Sequence, residues 1–82
     1  MKRIEWTEAS INDMAKIDRG SGRRIKLSIE RFAITGLGDV KKLQGISPPE
    51  YRLRVGNFRI RFSLRGDTIR ILRVMDRRDA YR

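Results

Sequence analysis

Apolar and polar residues alternate through the second half of the chain. Residues 51–55 and 58–64 are two alternating runs, and they are separated by Gly56-Asn57. A period of two is typical of a half-buried strand, and Gly-Asn between two such runs is a signal for a two-residue hairpin turn. Gly66-Asp67 marks a second turn, after which Thr68 to Met75 predicts a third strand. This last run is apolar on both faces, which indicates either a central strand or a bulge that exchanges the faces.

The first half changes to a helical period. After a short candidate strand at residues 2–6, Thr7 predicts a helix N-cap, and Trp6 and Ile11 have the spacing of a hydrophobic staple. The apolar stripe of this helix is Ile11, Met14, Ala15 and Ile17. Ser21 is the predicted cap of a second helix, and Gly36 its left-handed stop. The second stripe consists of Ile25, Ile29, Phe32 and Ala33.

Residues 39–50 are interpreted as a connector, because Ser47-Pro48-Pro49 near their end cannot continue a helix. The predicted fold class is therefore α+β. It has an N-terminal strand, a helical hairpin and an antiparallel three-strand meander, with the helices packed on one face of the sheet. We expect residues 1–82 to form a single domain.

Composition narrows the chemistry. The chain has 82 residues and neither Cys nor His. This excludes disulfides, zinc fingers and any nucleophile–histidine catalytic pair. We also see no export signal or membrane span, and interpret the chain as cytoplasmic.

The charge points to an anionic partner. Lys plus Arg is 20 against 10 acids, giving a net charge of +10, and residues 51–82 contain ten cations against three anions. Fifteen of the cations are Arg, which binds phosphate and carboxylate with a planar fork. A polyanionic partner is therefore expected.

A two-residue loop at Gly56-Asn57 fixes the hairpin register. It places Arg54 opposite Arg59 and Arg52 opposite Arg61, with all four on the face away from the helices; we name these four residues the arginine block. Like charges directly opposite one another destabilise a sheet, and such exceptions are expected at functional sites. A solvated face that happens to be basic is the alternative, but Lys and Glu are missing from these positions.

Two residues near the C-terminus are candidates for a general base, which arginine cannot supply. Neighbouring cations should lower the pKa of the Tyr81 phenol, although Tyr81 fits an aromatic lid nearly as well. Asp76 is the second candidate for the base. A turn residue or an ion pair with Arg77 describes it better.

Three segments give the chain a family resemblance: "YRLRVGNFRI" at residues 51–60, "IRILRV" at 69–74 and "RRDAYR" at 77–82. With "DVKKLQG" at 39–45, they closely resemble the RelE/ParE superfamily of bacterial toxins. In the RelE branch this implies an endoribonuclease that cleaves mRNA in the ribosomal A site by attack of a 2′-hydroxyl on the adjacent phosphate. It also implies a cognate acidic antitoxin as partner, and neither a metal nor another cofactor.

The resemblance also implies roles for individual residues. Arg52 and Arg54 match the family's paired basic positions, Arg59 its arginine near the scissile phosphate, and Arg77 the basic residue after the last strand. Tyr81 matches its C-terminal tyrosine, whereas Asp76 stands where many relatives have His or another basic residue. Further RNA contacts are expected from Arg61, Arg73, Arg78, Lys41 and Lys42.

The sequence is also compatible with two other functions. A ParE-like toxin would inhibit DNA gyrase without catalysis, and a plain basic module would only bind nucleic acid. The combination of Arg52, Arg54, Arg59, Arg77 and Tyr81 favours the RelE branch.

Overall fold

The computed structural model describes residues 1–77. In this range the elements are β1 (Arg3–Trp6), α1 (Glu8–Ala15), α2 (Arg19–Thr35), β2 (Asp39–Lys42), β3 (Tyr51–Val55), β4 (Phe58–Arg65) and β5 (Thr68–Asp76). The strands form one five-stranded sheet in the order β1-β5-β4-β3-β2. The β1–β5 pair is parallel and the other three pairs are antiparallel.

The core lies between α2 and one face of the sheet. The predicted stripe of α2 is buried there, and Phe62 contributes the largest side chain in the core, 1% exposed. Its ring lies between Phe32 and Tyr51, with centroid distances of 5.4 and 5.6 Å. The predicted α+β class, with helices on one face of the sheet, is confirmed.

The interpretation of residues 39–50 as a connector is wrong at its start. Asp39–Lys42 is an edge strand, antiparallel to β3, and Val40 packs against the core. A four-residue strand with one apolar side chain carries too little alternation to be recognised by period. The remaining loop is closed by a hydrogen bond of 2.9 Å from Leu43 N to Glu50 O.

Helix α2 begins earlier than predicted. Asp18, not Ser21, is the N-cap, and its Oδ2 accepts from Ser21 N at 3.0 Å. This bond is the main cause of the lowered pKa of Asp18. The Asp18 carboxylate suits the cap position for two reasons: it accepts a hydrogen bond from a free backbone N–H, and its negative charge is attracted to the positive end of the helix. The predicted end at Gly36 is confirmed, with a φ of 74° and a bond from its N–H to Phe32 O.

Helix α1 docks partly through polar side chains, because only Met14 and Ile17 of the predicted apolar stripe pack against the core. Ile11 is 55% exposed and Ala15 is also exposed, whereas Ser10 is fully buried. The stripe prediction is therefore wrong for Ile11 and Ala15.

The physical reason for the polar contacts is that β1 pairs only with the first half of β5. Beyond Trp6, the backbone N–H and C=O groups along this edge of β5 have no strand partner among the described residues and face α1. Thr7, the predicted cap, donates from Oγ1 to Ile71 O at 2.7 Å.

The predicted hairpin register is confirmed from Val55–Phe58 to Arg52–Arg61. In β5 both alternatives hold, since the strand is central and also bulged. Arg61 pairs with Arg73 while Phe62 pairs with Ile71, so Leu72 is one extra residue. The bulge keeps both Ile71 and Val74 in the core although two residues, rather than one, lie between them.

Candidate functional site

The arginine block lies on the sheet face opposite the helices. Leu53 and Ile60 are buried beneath it, so the alternating residues Arg52, Arg54 and Arg59 face outward. Cross-strand partners point to the same side of a sheet, with Cβ atoms about 4.5–5.5 Å apart. The block therefore consists of two cross-strand arginine pairs, Arg52–Arg61 and Arg54–Arg59, which follow one another along the hairpin.

Strand pairing extends the first of these pairs across four strands. Lys41 pairs with Arg52, Arg52 with Arg61, and Arg61 with Arg73. We name these four residues the cationic row. Lys42, expected to contact RNA together with Lys41, pairs with Tyr51 and so lies on the helix side. The structure thus brings Lys41 to the arginine block and separates Lys42 from it.

The second pair lies in a less basic row. Asp39 pairs with Arg54, and Arg59 pairs with Met75. This row therefore runs Asp39, Arg54, Arg59 and Met75, and only Arg54 and Arg59 in it are cations. The two rows therefore offer different environments to an anion on the same surface.

Glu50 is the counter-charge within the cationic row. Its Oε1 accepts from Arg61 Nη2 at 2.5 Å, and the two side chains are only 20% and 34% exposed. Arg61 Nε and Arg52 Nη1 are buried without a hydrogen-bond partner among residues 1–77. A buried donor with no acceptor costs about 1–3 kcal/mol. The row is therefore only partly satisfied by Glu50.

Asp13 binds Arg73, the residue at the β5 end of the cationic row. Its carboxylate accepts from Arg73 Nε at 2.8 Å and Nη2 at 3.2 Å, and from Val74 N at 2.9 Å. Burial raises the pKa of this carboxyl, but the bonds from Arg73 and Val74 and the charges of Arg73 and Lys16 together lower it below 3.8. The same pairing raises the pKa of Arg73. Asp13 thus fixes Arg73 and joins α1 to the edge of β5.

We expect Asp13→Asn to lower the free energy of unfolding by about 1–2 kcal/mol at neutral pH, since a bond between charged groups is lost but Arg73 is half exposed. The folded-state pKa is depressed, so the stabilisation is present above pH 3.8 and disappears as the pH falls through the folded value. Urea unfolding of both proteins from pH 7 to pH 3 measures this difference. Glu30→Gln on exposed α2 is the control, and an Asp13→Asn deficit that persists at low pH would contradict the expectation.

The end of β5 positions the last described candidates. Arg77 is exposed, and its backbone N–H donates to Asn57 O at 2.6 Å, which fixes it beside the hairpin turn. Asp76 pairs with Phe58, so the alternation of β5 places it on the helix side, away from the arginine block. Tyr81 and Arg78 lie outside the described residues.

Sequence reasoning missed the two acids of the cationic row. Glu50 continues the outward-facing series of Arg52 and Arg54, so extending the hairpin register by one step would have placed it beside Arg61. Asp13 gave no such signal, because its contact with Arg73 joins residues 60 positions apart. Within the described range, no three acidic side chains gather as they would around a metal ion, and no helix there is long and apolar enough to cross a membrane.

Comparison with known proteins supplies the family. A model of the ParE toxin of the type II toxin-antitoxin system parDE matches residues 4–81. Toxin RelE3 of Methanocaldococcus jannaschii is 33% identical in an alignment of 84 positions, which covers 96% of this chain and 94% of the relative. The matched relative is archaeal, so the similarity is not limited to bacterial toxins.

Solved structures agree in fold. A chain of the RelB-RelE antitoxin-toxin complex from Methanococcus jannaschii superposes with a TM-score of 0.78 at 32% identity, over 94% of both chains. A chain of the RelE-RelB complex from Pyrococcus horikoshii OT3 gives a TM-score of 0.77 at 22% identity, over 93% of this chain and 94% of that one. The fold, the family model and the identity to RelE3 agree, and the chain belongs to the ParE/RelE family of type II toxin-antitoxin toxins.

Proposed function

We propose that this toxin is a metal-independent endoribonuclease of the RelE type, which cleaves mRNA in the ribosomal A site and so inhibits translation in the cytoplasm. The observation that carries the proposal is the arginine block, two in-register arginine pairs on the sheet face opposite the helices. Such a face concentrates the donors that bind the oxygens of a phosphodiester.

The proposed chemistry is in-line attack of an RNA 2′-hydroxyl on its own 3′-phosphate, giving a 2′,3′-cyclic phosphate and a free 5′-hydroxyl. Arg59 and Arg77 stabilise the charge that develops on the phosphorane, and preorganised charges of this kind are usually the largest single contribution to catalysis. Arg52 and Arg54 position the RNA backbone. The ribosome presents the message in a reactive geometry, which supplies much of the orientation.

The proton of the attacking hydroxyl requires a base that the arginines cannot provide. The register of β5 places Asp76 on the helix side, so it is poorly placed to act on a phosphate bound at the arginine block. We therefore assign the base to Tyr81, whose phenol would ionise more readily among cations. Arg61, Arg73, Arg78 and Lys41 extend the proposed RNA surface.

The proposed protein partner is a cognate acidic antitoxin. The similar archaeal toxin was solved as a RelB-RelE antitoxin-toxin complex. The net charge of +10 on the present chain favours an acidic segment that folds as it binds. Such a segment would cover the arginine block and compete with RNA for it.

Inhibition of DNA gyrase is the second candidate function. It is favoured by one observation, the match of residues 4–81 to the model of ParE toxins. This alternative requires a protein target and predicts DNA damage rather than broken messages.

Mapping RNA 5′ ends in cells after induction of this chain separates the candidates. We expect new 5′ ends within the codons of translated messages, and their loss when translation initiation is blocked. Co-expression of the antitoxin should suppress both the ends and the growth arrest. An SOS response without new mRNA ends would overturn the nuclease proposal in favour of gyrase, and harmless high-level expression would contradict both.

A further inference from the structure

Two neighbouring arginines of the cationic row combine an ion pair with unsatisfied hydrogen-bond donors. Glu50 neutralises Arg61 through one nitrogen, while Arg61 Nε and the neighbouring Arg52 Nη1 are buried without an acceptor among the described residues. Arg52 and Arg61 are direct cross-strand partners, so both unused donors belong to one place on the sheet. Native proteins satisfy most buried donors, and an exception calls for an explanation such as a missing ion.

The position of these donors relates them to the second row. Arg52 and Arg61 are two residues along their strands from Arg54 and Arg59, a separation of about 6.6–6.8 Å at the usual rise of a strand. This is similar to the distance between consecutive phosphates along an extended single strand of RNA. Two guanidinium pairs at this spacing suit two neighbouring phosphates better than one.

We propose that Arg52 and Arg61 form a second phosphate subsite, which binds the RNA phosphate next to the one held by Arg54 and Arg59. In the free toxin the Glu50 carboxylate occupies part of this subsite. An incoming phosphate replaces it, because a phosphate can accept from Arg61 Nε and Arg52 Nη1 together, which the Glu50 carboxylate leaves without a partner. The proposal deepens the proposed function and rests on RNA being the ligand.

Glu50 then acts as a built-in competitor that weakens RNA binding. Its side chain is attached to the end of the 43–50 loop, directly before β3, so it remains close to Arg61 even when displaced. Replacing its charge while keeping its shape should strengthen RNA binding. Removing Arg61 should weaken binding and delete one phosphate contact.

Equilibrium binding of the purified toxin to a fluorescent 2′-O-methyl oligouridylate tests the subsite, since this RNA cannot be cleaved through its 2′-hydroxyl. We expect Glu50→Gln to bind about 2- to 5-fold more tightly, the range of a partly exposed ion pair. Arg61→Gln should bind more weakly and reduce the slope of log K against log salt by about 0.7, one phosphate on a single strand. Arg61→Lys should restore the slope but not the full affinity, because a lysine lacks the fork.

Glu30→Gln and Arg23→Gln make the same charge changes on exposed positions of α2, on the other side of the sheet. If the Glu50 and Arg61 variants behave as these controls do, or if the wild-type toxin does not bind the oligouridylate, the second subsite is overturned. If binding changes as expected and ribosomes yield no cleaved message, the subsite stands and the nuclease proposal fails. If the ribosomal message is cleaved but the variants show no binding differences, the nuclease proposal stands and the second subsite fails.

Discussion

Arg59→Ala should reduce cleavage of mRNA on programmed ribosomes by about 10²–10³-fold while leaving the protein folded. The expected loss corresponds to about 2.7–4 kcal/mol, by analogy with removal of one donor from an oxyanion hole. Arg59 faces outward opposite Arg54, so its truncation opens no cavity and separates one like-charged pair. We expect the Tm to remain within about 4–8 °C of the wild-type value, which corresponds to about 1 kcal/mol in a domain of this size.

Arg65→Ala is the matched control for this experiment. Arg65 is exposed at the far end of the same strand and pairs with Thr68, outside the arginine block. It should cleave within a few-fold of the wild type. Should Arg59→Ala melt much lower and lose cleavage only in proportion to the unfolded fraction, Arg59 would be a structural residue and the site would be misassigned.

Phe62→Ala should have the largest effect on stability, a loss of about 3–5 kcal/mol in the free energy of unfolding. Phe62 is 1% exposed and its ring packs between Phe32 and Tyr51, so truncation leaves a cavity at the centre of the core. Small domains have only about 5–15 kcal/mol in total. Chemical denaturation monitored by circular dichroism measures the difference.

Leu64→Ala, two residues along β4, is the comparison for Phe62→Ala. Leu64 is 38% exposed, so its removal should cost much less. Equal losses from the two variants would mean that Phe62 is not the centre of the core. The folded fraction of Phe62→Ala should still bind RNA, because its arginine block is unchanged. Arg59→Ala should show the reverse pattern, with the protein folded but cleavage lost.

The hairpin was the most predictable part of the site. A tight turn at Gly56-Asn57 sets the pairing, and a slip of one residue would expose the buried side chains Leu53 and Ile60. The arginine block follows from this register without any tertiary information. Local pattern is sufficient here because turn, alternation and burial all specify the same arrangement.

The parts that could not be predicted depend on contacts between distant segments. Edge strand β2 exists because β3 offers it a partner, and its own four residues give little indication of a strand. Asp13 resembles a solvent-facing acid of a short helix, yet it binds Arg73 and the backbone of Val74. Strand β2 supplies Lys41 and Asp13 holds Arg73, so the hairpin alone reveals only two of the four residues of the cationic row.

The extra residue Leu72 divides β5 into two parts. Residues 68–71 pair with β1 and bury Ile69 and Ile71, whereas residues 73–77 bury Val74 and contribute Arg73 and Arg77 to the surface around the arginine block. If Leu72 were instead paired regularly with Arg61, the alternation from Ile71 would turn Arg73 towards the core and Val74 away from it. The single extra residue therefore lets one strand keep Ile71 and Val74 in the core and Arg73 in the cationic row.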